Sequence, residues 1–193
     1  MARNQNSVLS LLLSSPNINV NLKTKNHGGC ALHFALYKLP ESPENNDALK
    51  LLLDAPTIDV NRVDTITGQS AVNRAVSFKR IEGLKLLLSH PRLTNLSINK
   101  KDIDGNTPVM LAMKQADYPA TSLANRYLEV LAADLRVDLD TTDNEGRSLE
   151  EVAVAYGEYY FHCCPRVAKA IQNFIALASL ALLVHFIALA CCV

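Results

Sequence analysis

Clusters of leucine recur along this chain and predict a series of amphipathic helices. In one of them, Ile81, Leu84 and Leu88 follow helical spacing, which places a single apolar stripe along a helix. Proline cannot continue a helix, so a proline shortly after a cluster predicts that the helix ends before it. The clusters are Leu11–Leu13, Leu51–Leu53 and Leu86–Leu88, with Tyr127, Leu128, Val130 and Leu131 in the next place. The prolines are Pro16, Pro56 and Pro91.

Four glycines precede a second kind of helix start. They are Gly28, Gly68, Gly105 and Gly146, spaced 40, 37 and 41 residues apart. Thr107 followed by Pro108 predicts an N-cap with proline in the first turn. Ser148 with Glu151 fits a capping box, Ser70 is expected to cap alone, and Cys30 is a poor cap. A small residue follows on the same helix face in each copy and lets neighbouring helices approach: Ala35, Ala75, Ala112 and Ala153.

These features together resemble the ankyrin repeat family. The residues that carry the likeness are Gly28 to Ala35 with Val60 and Asn61, Gly68 to Ala75, and Gly105 to Ala112, and it extends over residues 7–157. The resemblance implies an all-α, ankyrin-type solenoid of helix-turn-helix repeats with β-hairpin loops. Two repeats are longer than the family period of about 33 residues, through insertions at Lys38–Asp47 and Gln115–Asn125. The first copy lacks its first helix.

The predicted organisation has three parts. Residues 1–157 form the repeat array, with a partial first repeat and then repeats at 22–61, 62–99, 100–140 and 141–165. Residues 158–169 are a connector, and residues 170–193 are a C-terminal hydrophobic helix. Such repeats bury their apolar faces only by stacking, and a stack presents an extended binding surface.

The C-terminal segment carries no charged residue after Lys169. From Phe174 to Cys192 its only polar side chains are Ser179 and His185. About 20 apolar helical residues span a bilayer core, and Arg166 and Lys169 before them suit a cytosolic side. The prediction is a membrane anchor with the repeats facing the cytoplasm. The alternative is a cytoplasmic, soluble scaffold whose last helix caps the repeat core or binds a partner helix.

Composition and cysteine spacing narrow the function classes. The 19 basic and 19 acidic residues balance, whereas nucleic-acid binders normally carry a basic excess, so we expect no nucleic-acid partner. Neighbouring cysteines do not readily form a disulfide with each other, and Cys163 and Cys164 lack the spacing of zinc ligands. Their place beside the hydrophobic segment makes them candidates for lipidation.

The sequence predicts a protein-binding surface and no enzyme, cofactor or metal. The resemblance places partners along the loop tips and the inner face of the first helices. The helix positions are Phe34, Tyr37, Lys38, Arg74, Ser77, Phe78, Leu111 and Lys114. The cationic tip positions are Lys23, Lys25, Arg62, Lys100 and Lys101, with Asp64, Asp102 and Asp104 also at tips. The partner itself is an unknown protein.

Two further groups admit more than one interpretation. His33 lies near Cys30, but the resemblance gives that histidine a structural role, bonding between loops, and a thiol–imidazole pair without an orienting third group is a weak catalytic pattern. Asn21 and Asn61 resemble asparagines that are hydroxylated in ankyrin proteins, and the preferred interpretation is that they cap the loops.

Overall fold

The computed structural model describes residues 2–37, 43–114, 122–149 and 151–152. These residues belong to two compact units, one reaching Ile103 and the other starting at Asp104. The predicted connector at 158–169, the hydrophobic segment at 170–193 and the lipidation candidates Cys163 and Cys164 lie outside the described residues, as does Lys38.

The described part of the chain is helical, which confirms the all-α prediction for it. Its helices are α1 (Ala2–Leu13), α2 (Ala31–Ala35), α3 (Pro43–Asp54), α4 (Ala71–Ser77), α5 (Ile81–Leu88), α6 (Asn95–Ile98), α7 (Pro108–Lys114) and α8 (Ser122–Ala132). Within these ranges β pairing is limited to two isolated antiparallel bridges, Val63 with Ser70 and Thr142 with Ser148. In the described residues the predicted hairpin loops therefore contain no strands, and a single bridge closes each of the loops of Gly68 and Gly146.

The first unit has two layers of helices. Helices α2 and α4 pack against each other, and α3 packs against both α1 and α5. Across the layers, α2 contacts α3 and α4 contacts α5. The buried side chains between them include Leu32, Leu36, Leu49, Leu84 and Leu87. Of the predicted leucine clusters, Leu52, Leu53 and Leu87 are buried, whereas Leu11 and Leu12 of the first cluster are 73% and 48% exposed.

The helices begin and end where local chemistry directs them. Helix α3 ends at Asp54, before Pro56, and α5 ends at Leu88, before Pro91. Ser70 caps α4 by accepting the N–H of Asn73, and the amide oxygen of Asn73 accepts the N–H of Ser70 in return. The expectation that Ser70 caps alone was wrong, because Asn73 has an oxygen that completes a capping box.

The pattern Ser97-Ile98-Asn99 predicts a short extended return, but the structure has a short helix there. Helix α6 begins after Thr94, whose hydroxyl accepts the N–H of Ser97 at 3.3 Å. Ile98, the last residue of this helix, is buried. A threonine N-cap followed by a buried apolar residue favours a helical turn over an extended arm at this position.

The second unit begins with α7, which packs on α8. Thr107 accepts the N–H of Met110, so the predicted cap before Pro108 is confirmed. Ser148 and Glu151 form the predicted capping box, with the Ser148 N–H donating to the Glu151 carboxylate at 2.7 Å. Val109, Met110, Met113 and Leu131 are buried in this unit. Across the described ranges of both units, every helix is too short or too polar to cross a bilayer.

Candidate functional site

Three loops of the first unit carry most of the predicted tip residues. They are residues 22–29, 63–69 and 100–103, which we call the loop row. In the first loop the N–H of Thr24 donates to Gly29 O and the N–H of Gly28 donates to Thr24 O, both at 2.9 Å. In the second, the N–H of Asp64 donates to Gln69 O at 2.9 Å. Backbone bonds thus close the first two loops.

The loops are also bonded to one another. The N–H of Thr65 donates to Gly28 O at 3.1 Å, and the N–H of Ile103 donates to Thr67 O at 2.9 Å. Gly28 has φ +64°, and a Cβ there would lie 2.4 Å from Thr65 Oγ1. Only glycine suits both the left-handed backbone conformation and the close contact between this loop and Thr65 of the next. The glycine recurrence therefore allows neighbouring loops to lie side by side.

Asp64 and Arg74 form a buried ion pair beneath the second loop. Arg74 Nη2 lies 3.0 Å from Asp64 Oδ2, and Asp64 is 1% exposed. The carboxylate also accepts the N–H of Ile66 and both the N–H and hydroxyl of Thr67. Burial alone raises the pKa of Asp64, but the hydrogen bonds from Thr67 and Arg74 outweigh it and lower the pKa to about 2. Asp64 was expected at the loop tip, yet it is an internal anchor of the loop.

An aromatic surface lies on the helices next to the loop row. It consists of Phe34, Tyr37 and Phe78. The ring centroids of Tyr37 and Phe78 are 4.8 Å apart, and the guanidinium carbon of Arg74 lies 5.6 Å from the Phe78 ring centroid. Phe34 is 36% exposed and Tyr37 is 47% exposed, although both are large apolar rings. The rings of Phe34 and His27, which belongs to the first loop, lie nearly perpendicular with their centroids 5.9 Å apart.

This surface brings together residues that are far apart in sequence. Tyr37 follows α2, and Phe78 follows α4, so the packing of α2 on α4 produces their contact. Arg74 is 9% exposed, and its charge is committed to Asp64. It therefore supports the Phe78 ring from one side, and the aromatic rings themselves make up the accessible part.

The remaining predicted positions have varied surroundings. Ser77 is half-buried and accepts from Gln69 Nε2 at 3.3 Å. Arg62 is exposed and pairs with Asp59 at 3.2 Å. Lys25 and Lys101 are exposed, whereas Lys23 and Lys100 are half-buried. In the second unit, Leu111 is half-buried, and Lys114 donates to Asn106 Oδ1.

His33 has the structural role that the resemblance implies. Its Nδ1 accepts the N–H of Cys30 at 3.3 Å, which leaves the proton on Nε2, and Nε2 lies 3.3 Å from Gln69 O in the next loop. Burial lowers the pKa of His33, and the positive charge of Arg74 lowers it further. A neutral imidazole fits both bonds. Cys30 Sγ lies 3.1 Å from the same Nδ1 and is buried.

Asn21 and Asn61 join one predicted repeat to the next. Asn21 donates to Thr57 O at 2.7 Å and accepts the N–H of Asp59 at 2.8 Å. Asn61 donates to Arg92 O at 2.8 Å and accepts the N–H of Thr94 at 2.9 Å. Both side chains use donor and acceptor together, so their role extends beyond capping a single loop.

Two features of the site were not predicted from the sequence. One is the inward position of Asp64. Thr67, three residues later, was the available signal, since a hydroxyl and an N–H at that spacing suit an Asx turn. The other feature is the contact of His27 with Phe34, which no pattern in the sequence predicted.

Asp143 in the second unit has similar surroundings to Asp64. Burial raises the pKa of Asp143, but hydrogen bonds from Arg147 and from the N–H of Glu145 hold this pKa below its ordinary value.

The described residues bring no three His, Cys, Asp or Glu side chains together in a cluster suited to a metal ion. No protein-family model matches the sequence of this chain, and a search of curated proteins gives no significant match.

Proposed function

We propose that this chain is a non-enzymatic protein-interaction scaffold of the ankyrin type that captures its partner on the aromatic surface. The observation that carries the proposal is the contact of Tyr37 with Phe78 beside the accessible ring of Phe34. Tyrosine and phenylalanine are enriched at the cores of protein interfaces. Large rings held in place before binding lose little conformational entropy when a partner covers them.

The arrangement of the first unit supports the ankyrin part of this proposal. First helices α2 and α4 pack together, second helices α1, α3 and α5 follow one another, and the loops bond side by side. Each loop turns at a glycine with positive φ, as at Gly28 and Gly68. His33, Asn21 and Asn61 each bond to the following repeat. These are contacts between successive units, as expected of a solenoid.

The membrane tether is the second part of the proposal. It rests on the charge-free apolar segment at 170–193, long enough to span about 30 Å of hydrocarbon as a helix. On this proposal the aromatic surface faces the cytoplasm and recruits a protein to a membrane. In the alternative, a soluble scaffold, the same segment covers the repeat core or binds a partner helix.

Quantitative partner capture from cells tests the binding surface. We expect Phe34→Ala with Phe78→Ala to reduce the recovered partner about tenfold or more, because ring truncation at a hot spot costs at least about 2 kcal/mol. Leu96→Ala is the matched control, since Leu96 is 79% exposed, lies on α6 and is not one of the residues of the aromatic surface. Far-UV dichroism must stay native for both variants. Equal capture by all three proteins would refute the aromatic surface as the binding site.

Fractionation with a carbonate wash tests the tether. The full chain is expected in the membrane pellet, and Leu182→Arg with Leu183→Arg is expected to release it with native dichroism, since charges at mid-span oppose insertion. If the unaltered chain is soluble and the double variant melts at a lower temperature and aggregates, the buried-cap alternative is correct. Replacing Leu22, an exposed leucine in the loop row, by Arg controls for the added charge.

A further inference from the structure

The charges of the loop row are sorted between its inside and its outside. The carboxylates of Asp64 and Asp102 are buried. The lysines that accompany them reach solvent: Lys25 and Lys101 are exposed, and Lys23 and Lys100 are half-buried. Within these three ranges the ionised side chains that reach solvent are therefore cationic, although the whole chain is neutral and the exposed Asp104 directly follows the third loop.

The inward position of Asp64 is fixed by its bonds. Its charge is compensated by Arg74 and by hydrogen bonds from Ile66 and Thr67, and its lowered pKa keeps it ionised at neutral pH. Because that charge is paired, it does little to cancel the field of the lysines at the tips. We therefore expect the lysines at the tips to make the potential outside the loop row positive, with the exposed Asp104 reducing it beside the third loop.

Apolar side chains lie between these lysines. Ile66 is 52% exposed in the second loop, and Ile103 is 68% exposed in the third. Phe34, with His27 against its edge, joins the first loop to the aromatic surface. Backbone bonds hold the three loops side by side, with the lysines on the first and third loops and Ile66 on the second.

We propose that the partner segment bound here is an acidic peptide with interspersed apolar residues, lying along the loop row with an apolar anchor on the aromatic surface. The inference rests on the proposed function and adds the chemical class of its partner. Carboxylates of such a segment complement the lysines, and its apolar residues cover Ile66, Ile103 and Phe34. Charge complementarity also predicts an association that weakens as salt is added.

Peptide selection on the full chain tests the proposal. Random phage-displayed peptides of about 12 residues, which extend over at most about 40 Å, are selected on the immobilised chain in a non-ionic detergent. The enriched peptides are then synthesised with a fluorescent label, and their dissociation constants are measured by anisotropy. We expect enrichment of Asp and Glu together with aromatic or aliphatic residues.

Matched charge reversals then locate the binding site. Lys25→Glu with Lys101→Glu is expected to weaken binding about tenfold, whereas Lys50→Glu with Lys85→Glu is expected to change it less than about twofold. All four lysines are exposed, and Lys50 and Lys85 lie on α3 and α5, outside the loop row. Binding to the unaltered chain should also weaken between low and physiological salt.

The other outcomes separate this inference from the proposed function. Peptides that lose affinity with Phe34→Ala and Phe78→Ala, yet show no acidic excess and ignore the loop reversals, would overturn the acidic class and leave the scaffold intact. Enriched peptides insensitive to both variant pairs would overturn both, and a selection without enrichment would overturn the acidic class. A labelled DNA oligonucleotide that binds more tightly than every selected peptide, and depends on Lys25 and Lys101, would replace the peptide by a nucleic acid.

Discussion

Asp64 and Arg74 connect the loop row to the aromatic surface. Arg74 Nη2 donates to Asp64 Oδ2 at 3.0 Å, and the same guanidinium lies over the ring of Phe78 at 5.6 Å. The carboxylate in turn holds the N–H groups of Ile66 and Thr67 at the loop tip. One buried pair thus sets both the shape of a loop and the support of an aromatic side chain.

Arg74→Met is expected to destabilise the first unit by about 3 kcal/mol, because it leaves the charge of Asp64 buried without its cation. The Asp64 side chain is fully buried and that of Arg74 is 10% exposed, so water compensates little. Hydrogen exchange of the α4 amides measures the loss. Lys85→Met is the control: it removes an exposed pair with Glu82 and should cost less than about 1 kcal/mol. Equal protection in the two variants would contradict the structural role of the pair.

Acid should destabilise the chain through Asp64. Its pKa is lowered from 3.8 to about 2 in the folded protein, so the unfolded chain takes up the proton first. The contribution of Asp64 is fully present above pH about 4 and is lost as the pH falls towards 2. Urea unfolding at a series of pH values measures this dependence.

Asp64→Asn is the variant that assigns the acid effect. It should be less stable than the unaltered chain at pH 7 and should show a shallower loss of stability between pH 4 and 2. Some slope should remain, because the pKa values of Asp134 and Asp143 are also lowered. An unchanged slope would mean that Asp64 is not the group that titrates.

Two glycines of the second unit form a matched pair for testing the approach of one loop to the next. Gly105 and Gly146 both have φ +79°. A Cβ at Gly105 would lie 2.4 Å from Asn144 Cγ and 2.6 Å from its backbone N, whereas a Cβ at Gly146 would meet nothing within 4 Å. Gly146→Ala should therefore cost about 1 kcal/mol for the left-handed backbone alone, and Gly105→Ala clearly more. Thermal melting followed by dichroism compares them, and equal melting temperatures would contradict the close approach.

Asn61 is expected to stabilise the stacking of one repeat on the next. Asn61→Ala removes a donor to Arg92 O and an acceptor for Thr94, and should cost about 1 to 2 kcal/mol. Asn17→Ala, at an exposed asparagine, should be nearly neutral. Chemical unfolding of both variants measures the difference. A neutral Asn61→Ala would show that these bonds are readily replaced by water.

Local features of the fold were predictable because they depend on neighbours in sequence. Prolines mark the ends of α3 and α5, Thr107 caps α7, and Ser148 and Glu151 form a capping box. Helix α6 was not predicted, even though Thr94 caps it, because a helix of four residues is too short to show a periodic pattern. Candidate binding residues were chosen by type, and of these the rings of Tyr37 and Phe78 contact each other.

By itself, the sequence determined where the helices start and stop, which positions require glycine, and which side chains are apolar enough to form the core. Caps, turns and leucine spacing depend only on residues that are close together in sequence, so they can be recognised without the tertiary structure. The tertiary structure alone decided that Asp64 lies inside while Lys25 lies outside, and that Tyr37 meets Phe78. Burial and charge pairing depend on partners that packing brings together, such as Arg74 for Asp64, and sequence spacing does not specify them.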